Sequence, residues 1–127
     1  MFSGTLIVLT VMRSYYTLSF QLDENVMESC FYLQGQILGK KLMLEYEVIG
    51  NARENVKFTL TDAVSREVIK TIEKQDQNIR ERVIIDIDSS HDFVVCWENT
   101  DKEFKEISFF YQHKNQITFI DKGMFTR

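Results

Sequence analysis

The stretch HDFVVCWEN, residues 91–99, decides how the rest of the sequence is interpreted. It places Cys96 beside the only tryptophan of the chain, in a run that is apolar at consecutive positions. A strand that is apolar on both faces is typical of the middle of a sheet. A cysteine in such a strand can hold a metal, attack a substrate, fill a core or be joined to another part of the chain.

The composition is that of one globular domain. With 127 residues, 44% of them hydrophobic, the chain is long enough for a single core, and its ten Phe and five Tyr favour strands. The formal net charge of −4 argues against a nucleic-acid-binding protein, because the 15 basic residues form no dense patch. No later segment approaches the roughly 20 apolar residues of a membrane-spanning helix, so we expect no anchor in this sequence.

Alternation of apolar and polar residues predicts several short strands. The positions expected to face inward are Leu42, Leu44, Tyr46, Val48, Val56, Phe58, Leu60, Val68, Val83, Ile85, Ile87, Ile107, Phe109 and Tyr111. Seven or eight such strands without a convincing amphipathic helix predict an all-β fold, an antiparallel β-sandwich. The polar residues 73–82 predict an exposed loop, and a helix over 65–82 is the alternative.

The N-terminal apolar segment, residues 6–12, has two interpretations. It is either the hydrophobic part of a secretory signal peptide or a buried first strand. We favour the signal peptide and assign it residues 1–16, although no Lys or Arg precedes the apolar segment. The sandwich is then expected over residues 17–112, and residues 113–127 form a C-terminal extension.

The sequence contains no motif with the spacing that a metal site or a catalytic site needs. Four residues are potential zinc ligands, but the two cysteines lie far apart rather than in a close pair: Cys30, Cys96, His91 and His113. A Ser89-His91-Asp92 triad, or Cys96 activated by His91, needs side-chain geometry that adjacency in sequence does not provide. Asp86, Asp88 and Asp92 are more typical of a solvated turn than of a calcium loop. We therefore expect no catalytic residue, no metal and no cofactor.

The two cysteines leave two interpretations open. One is a disulfide that joins an N-terminal segment to a central strand, which would stabilise the fold by about 4 kcal/mol in the chain-entropy model. The other is a pair of unpaired, buried thiols in a cytosolic protein.

The segments LSFQL (18–22), ESCFYLQ (28–34), VVCWEN (94–99) and KEISFFY (105–111) together resemble the Golgi-dynamics (GOLD) domain of the TMED family of early-secretory cargo receptors. The matching positions are Cys30, Phe31, Phe93, Cys96, Trp97 and Asn99. The resemblance implies a β-sandwich in which Cys30 and Cys96 are joined, with Phe31, Phe93 and Trp97 packed around the bridge. The sequence departs from the family pattern at Leu33, where an acidic residue is usual, at His91 in place of Gly, and at Ala63 in place of Pro.

The resemblance also implies a function. It predicts a non-enzymatic luminal domain in vesicular transport between endoplasmic reticulum and Golgi, which selects secretory cargo proteins or pairs with related GOLD domains as a homo- or hetero-oligomer. Residues 113–127 would begin the stalk that leads to a membrane anchor outside this sequence, and residues 73–82 are a guess for cargo contact. The alternative is a cytosolic β-sandwich adaptor or lipid-associated GOLD module with free thiols.

Overall fold

Eight antiparallel strands form two four-stranded sheets in the computed structural model, which describes residues 17–73 and 80–115. In chain order they are β1 (Leu18–Leu22), β2 (Glu28–Leu33), β3 (Lys40–Gly50), β4 (Val56–Asp62), β5 (Val68–Ile72), β6 (Arg80–Asp86), β7 (Phe93–Asn99) and β8 (Lys105–Asn115). Sheet A has the order β1-β8-β3-β6 and sheet B the order β2-β7-β4-β5. The prediction of an antiparallel β-sandwich with seven or eight strands is confirmed.

The core lies between the two inner faces and is rich in aromatic rings. Trp97 is fully buried, and its ring centroid lies 4.7–6.1 Å from those of five other rings: Phe20, Phe31, Tyr46, Phe58 and Phe109. Rings at these separations and tilted angles attract one another beyond the area that they bury. Trp97 therefore ties strands of both sheets into one cluster.

Most of the predicted inward positions are confirmed. The alternating residues of β3, β4 and β8 that were expected to face the core are buried, with Ile85 and Tyr111 packed against it from the margin. β7 lies between β2 and β4, as its apolar faces predict. Among the described residues no helix is present, and so none that is long and apolar enough to cross a membrane.

Val68 was wrongly expected in the core. The pairing of β4 with β5 shifts register between Leu60 and Thr61, so that Leu60 lies opposite Lys70 and Thr61 opposite Val68. The extra residue at this bulge is Ile69, and the shift turns Val68 to the outer face, where it is 55% exposed. Alternation predicts a face correctly only while the ladder stays regular.

The loop predicted over residues 73–82 is too long at its C-terminal side. β6 begins at Arg80, and Arg80 and Arg82 form ion pairs with Glu47 and Glu45 of β3 on the outer face of sheet A. One face of β6 is solvated, so the strand is polar at alternate positions, and its first residues could not be distinguished from the polar loop before them. The helical alternative is wrong for β5 and for residues 80–82. The remaining loop residues, 74–79, lie outside the described residues, as does the N-terminal segment 1–16.

Candidate functional site

Cys30 of β2 and Cys96 of β7 lie directly opposite each other and form a disulfide, with their Cα atoms 4.1 Å apart. The bridge therefore joins two neighbouring strands within sheet B. Cys30 is exposed and Cys96 half-buried, because both point to the outer face of the sheet. The disulfide belongs to a solvent-facing surface rather than to the core.

The expectation that aromatic residues pack around this bridge is wrong. Phe31, Phe93 and Trp97 are 5%, 4% and 0% exposed, and they point into the core on the opposite side of the sheet. Successive residues of a strand face opposite sides, so Phe31 and Trp97 must turn away from the cysteines beside them. The motif therefore places the disulfide on the outer face of sheet B and the aromatic side chains on its inner face, in the core.

The residues that were weighed for zinc binding or catalysis make other contacts in the structure. Both sulfur atoms are bonded to each other, so neither is a thiolate that could attack a substrate or ligate zinc, although the Glu28 carboxylate lies within 4.8 Å of them. The side chain of His91 contacts Asp62 rather than Asp92, and Ser89 Oγ accepts a hydrogen bond from the His91 backbone amide at 3.2 Å. These contacts hold turns in place, and the triad drawn from sequence is not formed.

Asn99 has its contacts at one end of the sandwich, where it supports a buried lysine. Lys105 is fully buried, and its Nζ donates to Asn99 Oδ1 at 2.9 Å, to Asp101 Oδ1 at 2.5 Å and to the Glu103 carbonyl at 3.1 Å. Asn99 Nδ2 donates to the same Glu103 carbonyl at 2.8 Å. The three protons of the ammonium group are thus all used, as a buried charge requires.

Asp101 supplies the opposite charge in this cluster. Partial burial opposes its ionisation, but hydrogen bonds from Lys105, from Asn55 and from the Glu103 amide outweigh that effect, so the pKa of the carboxyl lies below its ordinary value. Asn55 belongs to the turn between β3 and β4, and its carbonyl also accepts from the Thr100 amide at 3.1 Å. The cluster therefore joins two turns at this end. Sequence reasoning missed Lys105, although amide and acid groups at positions 99 and 101 precede it at short spacing.

At the opposite end, which we call the His91 end, three connecting segments are fastened together. They are residues 34–39, 63–67 and 87–92. The Ala63 amide donates to the Asp92 carbonyl at 2.9 Å, and the Gly35 amide donates to Asp92 Oδ1 at 3.3 Å. A proline at position 63 has no amide hydrogen and could not make the first of these bonds. The departure of this sequence at Ala63 thus has a structural consequence.

Asp62 organises the His91 end. Its carboxylate accepts hydrogen bonds from the backbone amides of Val64 and Ser65 at 2.8 Å and from His91 Nδ1 at 3.0 Å. The Ser65 amide has the largest effect, and together with His91 and Val64 it lowers the pKa of Asp62 to about 2 against the opposing effect of burial. The carboxylate is therefore charged at any physiological pH and holds the β4–β5 turn against His91.

The second histidine fastens another segment at the same end. His113 Nε2 donates to Gln36 Oε1 at 3.0 Å, and Gln36 Nε2 donates to the Leu33 carbonyl at 2.8 Å. Burial lowers the pKa of His113, and the nearby Lys40 lowers it further. Both histidines of the chain thus anchor connecting segments at one end of the sandwich.

The fastened segments display apolar side chains to solvent. Ile37, Leu38 and Val64 are 46%, 63% and 65% exposed. Loops held by a rigid scaffold are the usual place for recognition, and exposed apolar groups beside polar anchors suit binding. The arrangement offers contacts for a partner, and no described group in it is poised for covalent chemistry.

The chain matches the model of a protein family. The family model described as emp24/gp25L/p24 family/GOLD matches residues 17–122, well over half of the chain. The matched range includes all eight strands, both cysteines and Asn99. Among curated proteins there is no match.

Proposed function

Because the chain belongs to the emp24/gp25L/p24 (GOLD) family, and with it to vesicular transport between endoplasmic reticulum and Golgi, we propose that it is a luminal binding domain that selects cargo or pairs with related GOLD domains. The observation that carries the luminal part is the Cys30–Cys96 disulfide on an exposed sheet face. Disulfides form and persist in oxidising compartments, whereas an accessible bridge in the cytosol meets a reducing thiol pool.

The proposed mechanism is recognition without chemistry. The family is one of transport proteins, and at the His91 end the side chains of Asp62, Asp92 and His91 hold turns in place. Cargo would bind at the His91 end, through the apolar side chains of Ile37, Leu38 and Val64. Asp62 and Asp92 would keep these loops in one conformation, which lowers the entropy lost on binding.

The proposed organisation follows from the same function. Residues 1–16 would direct the chain into the endoplasmic reticulum and be removed. Of the extension over residues 113–127, residues 113–115 still belong to β8 and pair with β3, so residues 116–127 would lead toward a stalk and an anchor.

Mass spectrometry of the chain isolated from microsomes under non-reducing conditions tests the compartment. We expect a chain that begins near residue 17, is protected from added protease until detergent opens the membrane, and contains the Cys30–Cys96 bridge. A chain that begins at Met1 with two free thiols and is digested without detergent would refute the luminal proposal.

Cargo selection needs a separate test. The variant Ile37→Ser/Leu38→Ser/Val64→Ser should reduce the secretory proteins cross-linked to this chain in transport vesicles, while its melting temperature stays near that of the unmodified protein. Ile49→Ser, which removes a similarly exposed apolar group near the C-terminal end of β3, at the opposite end of the sandwich, is the matched control. Equal cross-linking by both variants would remove the His91 end as the cargo surface.

A further inference from the structure

We propose that two copies of this chain associate edge to edge through strand β6, so that their two A sheets form one continuous sheet. This rests on the pairing of GOLD domains in the proposed function and specifies the surface and the partner, a second copy of the same chain. The edge of a sheet is a template for another strand, since its outward backbone groups have no strand partner within the domain.

Four strands lie at sheet edges among the described residues, and β6 is the longest of them. It has seven residues, and every one is paired with β3 without a register shift. The edge strands β1 and β5 have five residues and β2 has six. β5 is also bulged, and Lys70 at its centre would face its own copy in an antiparallel pair. Native proteins protect edges by shortness, bulges and such charges. β6 is the longest of the unbulged edges, but it also carries charges, so its pairing depends on how those charges face the charges of a second copy.

The charges of β6 complement those of a second β6. When the strand pairs antiparallel with itself about Val83, Arg80 of each copy lies opposite Asp86 of the other. The two-fold axis produces this opposite-charge pair twice, as in any isologous interface. Opposite charges at directly facing positions favour a register, and like charges disfavour it.

Both residues have surface left for a second partner. The side chains of Arg80 and Asp86 are 63% and 66% exposed although each already forms an ion pair with β3. Their partners, Glu47 and Lys41, lie deeper, at 33% and 19% exposed. An arginine can donate in more than one direction, and a carboxylate can accept several hydrogen bonds, so the internal pairs need not break.

The remaining outer-face residues fit the same arrangement. Ile84 is 52% exposed and would lie opposite Arg82 of the other copy, whose aliphatic stem can cover it. Val83, at the centre, faces the core in both copies and is 2% exposed. Pairing about Val83 thus keeps every core residue inside while covering an exposed apolar side chain.

Sedimentation of the purified, oxidised chain in its processed form, which begins near residue 17, over a range of concentrations tests the interface. We expect a reversible dimer. Arg80→Asp alone and Asp86→Arg alone should each raise the dimer dissociation constant at least about tenfold, because each places like charges opposite one another twice. An equimolar mixture of the two variants should restore dimerisation. In the mixed dimer, Asp86 of the first variant faces Arg80 of the second, and the substituted residues 80 and 86 form the opposite-charge pair at the other end.

Lys70→Asp, a charge reversal at the β5 edge, is the matched control and should leave the dimer unchanged. Thermal unfolding of each variant shows whether it is folded, and the restored mixture cannot arise from misfolded chains. A chain that stays monomeric, or a dimer that ignores both reversals, would overturn the proposal. These measurements use purified protein, so their failure leaves the compartment and cargo tests unaffected.

Discussion

Replacing Asp101 by Asn tests whether the cluster around Lys105 stabilises the fold. The substitution keeps the shape of the side chain but removes the carboxylate charge that contacts the buried ammonium group. Lys105 would then remain fully buried with a neutral amide oxygen at Asn99, a backbone carbonyl at Glu103 and an uncharged residue 101 as its partners. An uncompensated buried charge is among the costliest defects in a folded protein.

The expected loss is about 3 kcal/mol in the free energy of unfolding. Removing one partner of a buried ion pair typically costs about 3–5 kcal/mol. The lower end applies here because the Asp101 side chain keeps 24% exposure, which lets water reach the cluster, and because asparagine still offers one acceptor. Against a total stability of about 5–15 kcal/mol, this is a large fraction.

Urea unfolding of the oxidised protein measures the effect, with an unchanged m-value as the condition for comparing free energies. Glu73→Gln is the control, since it breaks the Lys57–Glu73 pair, whose atoms are 3.9 Å apart and whose side chains are 37% and 75% exposed. That surface pair should contribute less than about 1 kcal/mol. If Asp101→Asn were no more destabilising than Glu73→Gln, the argument that Lys105 is a charged, dry group would be wrong.

Three further outcomes follow from other contacts. Replacing Cys30 and Cys96 by alanine should lower the free energy of unfolding by about 4 kcal/mol, as the chain-entropy model gives for a sequence separation of 66, and urea titration of both forms measures it. Burial lowers the pKa of His113, so as the pH falls the unfolded chain binds a proton at this residue before the folded chain does. The free energy of unfolding should therefore decrease as the pH falls below about 6.5, and melting curves should show a smaller decrease in melting temperature for His113→Gln. Gly50→Ala should destabilise by more than Gly39→Ala, because both have positive φ but only a Cβ at Gly50 would meet a backbone oxygen, at 2.6 Å; equal melting temperatures would contradict this.

The sandwich could be predicted because its strands alternate regularly over most of their length. In β3 and β4 every second residue, from Leu42 to Val48 and from Val56 to Leu60, faces inward as a strand with a period of two requires. These residues are buried because the inner face of each sheet packs against the other sheet. The predicted face was wrong where the orientation of a residue depends on how its strand pairs with the neighbouring strand. The bulge that turns Val68 outward arises from the register between β4 and β5, and the sequence of β5 alone contains no sign of it.

The candidate site was less predictable, for a different reason. Lysine is almost never fully buried, so hydropathy assigns Lys105 to the surface. Its burial depends on Asn99, Asp101 and a backbone carbonyl converging after the chain reverses, and that geometry exists only in the fold. The contact between His91 and Asp62 likewise joins turns that lie 29 residues apart in sequence.

The stretch from Phe93 to Asn99 shows why one short motif can specify so much of this domain. Its odd-numbered residues face the core and its even-numbered ones face solvent, so Trp97 packs with aromatic rings of both sheets while Cys96 fastens β2 from outside. Asn99, where β7 ends, turns inward again and contacts Lys105, where β8 begins. One strand thereby links sheet B to itself through the disulfide, to sheet A through the core, and to the next strand through a buried charge. Selection on any of these three links would retain the motif without a ligand, so the residues that recognise a partner must be sought on the loops and edges that the motif holds in place.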